Sequence, residues 1–130
     1  MKYIEYNLTD ENGKSNCVIR TFSKIFNKSY KEVLNDLIDI AKELGCESFN
    51  DIPVFEKYME VNGITKETIE EDTKVKDLSL DEGTYVVFCY DKKDFYHMIP
   101  IIDNTVYDKH DDSLELYVIS LYKENSLRLK

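Results

Sequence analysis

The chain has 130 residues with a formal charge of −9, 33% charged and 42% hydrophobic residues, and three cysteines. That length suits one domain over residues 1–130 with a core built without metal or disulfide staples, and the acidity argues against a nucleic-acid partner, whose phosphates call for a basic face. No stretch reads as a signal peptide or bilayer span, and the odd cysteine number at wide spacing (Cys17, Cys46, Cys89) fits neither a disulfide framework nor a zinc site, so a reducing, cytoplasmic setting without cofactor or metal is expected.

The opening "KYIEYNL" alternates imperfectly and reads as a short strand or extended arm. After the polar turn "TDENGKS", Asn16 is a good N-cap, and Val18, Ile19, Phe22, Ile25 and Phe26 recur at helical spacing. Cys17 therefore falls at the first helical position. There the unpaired N–H groups and the positive end of the helix dipole favour a thiolate, whereas a cysteine elsewhere usually behaves as a small hydrophobe.

A second helix opens at Ser29, with Glu32 at capping-box spacing, and runs through Val33, Leu34, Leu37, Ile38, Ala41 and Leu44 to Gly45. A third, shorter one is expected in "NDIPVFEKYMEVNG", with Pro53 in its first turn and Gly63 at its end. The charged connector that follows has room for a short strand and one helical turn. From Gly83 the chain reads as antiparallel strands, "TYVVFCY", "FYHMIPII", "TVYD" and "LELYVISLY". Helices first and strands later predict an α+β fold.

If Asp103 and Asn104 form a two-residue hairpin loop, Ile102 pairs with Thr105, and His97, Ile99, Val106, Asp108 and His110 share one face. His97 and Asp108 are then diagonal neighbours about 7 Å or less apart at Cβ. Asp103, at the turn, is about 20 Å from His97 along the strand. A loop one residue longer would move Asp108 to the other face and leave Asp111 or Asp112 as the histidine's partner. Cys17, His97 and Asp108 are the parts of a nucleophilic thiol site: thiolate, general base and the acid that orients it. His110 reads as a surface residue, and Cys46 and Cys89 as structural.

The strings "NCVIRTFSKIFNKSYKEVLNDL" and "GTYVVFCYDKKDFYHMIPIIDNTVYDKHDDS" together resemble the small papain-like cysteine peptidases of bacteria and phages. In that group a polar residue precedes the helical cysteine, a "KSY" step opens the second helix, and a glycine-led strand leads into a hairpin matched here by Tyr107, Asp108, Asp111 and Ser113, with Asn104 where glycine is common. The resemblance covers about residues 14 to 115. It implies a papain-like fold, a helical part carrying Cys17 packed on an antiparallel sheet carrying His97 and Asp108, and hydrolysis of a peptide or protein substrate.

Such enzymes usually place a Gln a few residues before the nucleophile to bind the oxyanion, yet this chain has no Gln. Asn12 lies nearest that position, and the Cys17 backbone N–H is the other candidate donor. Losing one such donor typically costs ~10² to 10³ in rate. The alternative reading is therefore a catalytically idle papain-like domain, an acidic binding module or inhibitor for a basic protein partner.

Overall fold

The computed structural model describes residues 1–125, three helices followed by most of a six-stranded sheet in an α+β arrangement. Helix α1 (Cys17–Phe26) starts where Asn16, in extended backbone, accepts the Ile19 N–H on its side chain. It ends at Asn27, whose left-handed conformation closes the last turn onto Ser23. Helix α2 (Tyr30–Leu44) has the full capping box between Ser29 and Glu32 and stops at Gly45, and α3 (Ile52–Val61) follows with Pro53 in its first turn. No described helix is long and apolar enough to cross a membrane.

The strands are β1 (Lys2–Glu5), β2 (Ile64–Glu67), β3 (Thr84–Tyr90), β4 (Tyr96–Ile102), β5 (Thr105–Asp108) and β6 (Tyr117–Glu124), in the spatial order β1-β5-β4-β3-β6-β2. The sheet is mixed: β1 runs parallel to β5, and the remaining pairs are antiparallel. The C-terminal strands pair antiparallel as the hairpin signals predict, and the N-terminal strand adds the one parallel pairing among the described residues. Hairpin turns announce only sequential neighbours, whereas β1 reaches β5 across about a hundred residues of chain, as the pairing of Lys2 with Thr105 shows.

The last strand also begins later than the run "LELYVISLY" suggests. Asp111–Glu115 form a short 3₁₀ turn, closed by Leu116 N–H donating to the Ser113 carbonyl, and this turn lets Leu114 and Leu116 pack on the same core.

Alternation along the strands divides the interior in two. Val86, Met98 and Tyr122 point to the helices and join Val18, Ile19, Phe22, Leu37, Phe55 and Met59. Tyr85, Val87, Cys89, Ile99, Ile101, Val106 and Leu121 point to the other face and form a second cluster with Val75. Phe22 anchors α1 in the first of these, fully buried and edge-on to Tyr58 with ring centres 5.0 Å apart. Burial of that ring contributes about 2–3 kcal/mol toward holding α1 in place, and the aromatic pair about 1 kcal/mol more.

Candidate active site

The tight turn at Asp103–Asn104 has both residues in the left-handed region (φ 49° and 60°), and the pairing of Ile102 with Thr105 and of Ile101 with Val106 establishes the two-residue register. Two local bonds reinforce it: Asp103 N–H donates to the Gly83 carbonyl, and the Asp103 carboxylate accepts from Gly83 N–H. Asp108 accordingly falls on the face of Ile99 and Val106, and not on the face that a longer loop would have given it.

Beyond those two pairs, α1 is seated on the free edge of β4. Thr21 Oγ1 donates to the Met98 carbonyl at 3.2 Å, and the Met98 main chain also hydrogen-bonds the Cys17 sulfur. The start of α1 is thereby held beside His97. The Cys17 thiol and the His97 ring are close enough to shift each other's titration, and His97 Nε2 lies 2.7 Å from Asp108 Oδ2. With Nε2 committed to Asp108, Nδ1 is the ring nitrogen left for the thiol.

Burial opposes charge on all three groups, and their mutual contacts outweigh it. The Cys17 thiol is held below its ordinary value, against its desolvation, by the His97 hydrogen bond and charge, the Met98 main chain and Arg20. His97 is pushed up to about 9: burial lowers it, but the hydrogen bonds and charges of Asp108 and Cys17 raise it further. Asp108 is held below the usual carboxylate range, again against burial, by His97, the Lys109 N–H and Arg20. The arrangement therefore favours imidazolium at neutral pH and shifts Cys17 toward thiolate.

No family model, curated protein or solved structure matches this chain. Its site has to be understood from its own geometry.

Arg20 is the member of the cluster that the sequence reading did not single out. It is 4% exposed, its Nη2 donates to Asp108 Oδ1 at 3.0 Å, and its Nη1 donates to Ser15 Oγ at 2.6 Å. Two signals were available: Arg20 is three residues after Cys17, hence on the same side of the helix, and it is the only charged residue between Lys14 and Lys24.

The other candidates are placed apart. Asn12 lies in the exposed turn ahead of α1, where its backbone N–H donates to Asp10 Oδ1, and its side chain makes no hydrogen bond among the described residues. Asp111 and His110 are exposed. Cys89 is buried beside His97, donating to its carbonyl at 3.5 Å, and burial pushes that thiol well up, so it is not a nucleophile. Cys46 packs against the helical core.

Phe95 stacks on the His97 ring with centres 5.6 Å apart, and both line a cavity of about 220 Å³ with Asp108, Lys109, His110 and Leu116. The cavity lies on the Asp108 and Arg20 side of the imidazole, and Cys17 is not among its walls. Among the described residues no group of three or more His, Cys, Asp or Glu is placed to hold a metal ion.

Proposed function

We propose that the chain is a papain-like thiol hydrolase that cleaves a peptide or related amide bond through Cys17, His97 and Asp108. The observation that carries this reading is the His97–Asp108 pair at 2.7 Å beside a thiol that stands at the first residue of a helix docked on Met98, the neighbour of His97. The placement also supports the papain-like architecture, since the nucleophile stands on a helix and the base on the strand edge against which that helix is docked.

The chemistry follows from the bonding. The Cys17 thiolate adds to the substrate carbonyl carbon, and the displaced electron pair resides on the carbonyl oxygen. As the C–N bond breaks, the amine leaves with the proton held on His97 Nδ1, and a thioester remains on Cys17. His97, now neutral, removes a proton from water. The resulting hydroxide adds to the thioester, the C–S bond breaks, and the carboxylic acid product departs while the thiolate and imidazolium are restored.

The oxyanion needs donors near Cys17. Of the first four N–H groups of α1, the Asn16 side chain takes that of Ile19 and the Asn16 carbonyl takes that of Arg20. The N–H groups of Cys17 and Val18 have no acceptor within the helix, and the first of these is the proposed oxyanion donor.

The test is competitive alkylation with iodoacetamide at pH 7, read by mass spectrometry. Cys17 should react much faster than Cys46 and Cys89 and should be the residue acylated by an activated ester. Equal labelling of the three cysteines would leave the acidic surface, and binding of a basic protein, as the better reading.

A further inference from the structure

We propose that Arg20 is a positioning residue of this thiol site: its guanidinium, anchored on Ser15, sets the Asp108 carboxylate so that Oδ2 faces His97. This rests on the reading of Cys17 as the nucleophile and adds a fourth member to its machinery.

Asp108 has two oxygens and three donors around it, and they are divided unequally. Oδ1 takes both Arg20 Nη2 at 3.0 Å and the Lys109 backbone N–H at 2.8 Å, which leaves Oδ2 to His97 Nε2 at 2.7 Å. The backbone bond alone would allow the carboxylate to pivot about its Cβ–Cγ bond. The guanidinium removes that freedom, because it is itself held at a second point by Ser15 Oγ at 2.6 Å. Arg is suited to the task and Lys is not, since a planar fork can hold two acceptors in fixed directions while an ammonium on a flexible stem cannot.

Charge gives the same assignment. A buried carboxylate without a permanent partner would take up the proton of His97 whenever the imidazole is called on to give it up. Arg20 stays charged throughout, so Asp108 stays ionised throughout, and the proton moves only between Cys17, His97 and the substrate. The four groups alternate in sign from the thiolate to the guanidinium, and the cluster is neutral as a whole. Arg20 also ties the helix to the strand: it stands three residues from Cys17 on α1 and bonds to a residue 88 positions later. Any shift of α1 along β4 would move nucleophile and guanidinium together relative to the acid.

The experiment uses the full chain with Arg20→Lys and Arg20→Met. Three quantities are measured: the rate of Cys17 alkylation from pH 5 to 9, the titration of the His97 ring by NMR, and the unfolding midpoint in urea. Only two histidines are present, so His110→Gln assigns the His97 signal. Asp108 and Cys17 act on the ring directly, Arg20 stands behind Asp108, and Lys109, His110 and Asp112 line the same cavity, none of these last three being altered in the Arg20 variants.

Both substitutions should lower Cys17 alkylation at pH 6–7 by roughly 10- to 100-fold, the scale expected when a catalytic group is misplaced by about 1 Å, and should move the His97 midpoint downward. The lysine variant should not rescue either quantity. Wild-type alkylation and an unmoved His97 titration in Arg20→Lys would overturn the proposal, as would a change confined to the unfolding midpoint. If Arg20→Lys does not fold, Ser15→Ala, which removes only the far anchor at an exposed position, is read in the same way. A parent protein whose Cys17 alkylates no faster than Cys46 refutes the thiol reading itself. A fast parent with an unaffected Arg20→Lys refutes only the role of Arg20.

Discussion

Replacement of Asp108 by Asn is the most informative single perturbation, because all three neighbours of this side chain are donors. Arg20 Nη2 and the Lys109 N–H both point at Oδ1, and His97 Nε2 points at Oδ2. An asparagine has one acceptor oxygen and one NH₂ group to place between them. Facing the amide oxygen toward Arg20 and Lys109 satisfies two donors, one of them charged, and that orientation should prevail. The amide NH₂ then confronts Nε2, which must give up its proton and become an acceptor. The neutral ring is left protonated on Nδ1, the nitrogen needed to receive the Cys17 proton.

The magnitude follows from the same contacts. His97 is pushed from 6.5 to about 9 despite burial, and at about 1.4 kcal/mol per tenfold this is roughly 3 kcal/mol in favour of imidazolium. Loss of most of that preference should slow Cys17 alkylation at pH 7 by ~10- to ~300-fold, and a tautomer held wrongly costs about 10⁴ in turnover in a related triad. The assay is alkylation of Cys17 with Cys46 as internal reference, together with NMR titration of His97. An Asp108→Asn protein that alkylates like the parent, with His97 still titrating near its parent value, would refute this reasoning. Asp103→Asn, at the far turn, should leave both readouts unchanged.

Asn16→Ala removes the acceptor of the Ile19 N–H and should cost about 1 kcal/mol, lowering Tm by roughly 3–5 °C and slowing Cys17 alkylation as the helix start frays. Asp108, with its carboxyl held low, stabilises the fold fully above its unfolded value near ~4 and loses that contribution as pH falls through the depressed folded value, so acid should unfold the parent earlier than it unfolds Asp108→Asn, relative to each protein's own stability at pH 7. His97, raised to about 9, stabilises fully below 6.5 and loses this as pH climbs from there to about 9, while Cys17, lowered from its ordinary 9.0, gains over part of the same range. In Cys17→Ala that gain is gone together with the Cys17 share of the His97 shift, so NMR titration should find His97 lower than in the parent. The charge of −9 predicts no detectable DNA or RNA binding in a filter assay at physiological salt, and association with any basic protein partner should slow as salt is added.

What the sequence determined by itself is what rests on neighbouring residues. The Asn16 cap places Cys17 at a helix start, the Ser29–Glu32 box starts α2, and the two left-handed residues Asp103 and Asn104 determine the hairpin register. That register decides which face Asp108 occupies, so the partner of His97 was legible before any tertiary contact was known. These features depend on hydrogen bonds within a few residues, which the same sequence makes wherever the segment finally packs. Other features depend on partners far away in the chain. The parallel pairing of β1 with β5, the late start of β6 and the burial of Arg20 carry no local signature that distinguishes them from an arm, a longer strand and a solvated helix charge. An arginine after a helix start is ordinarily exposed, because burying its charge alone is costly. Here the carboxylate 88 residues away removes that cost, and only the packing of α1 against β4 and β5 brings the two together.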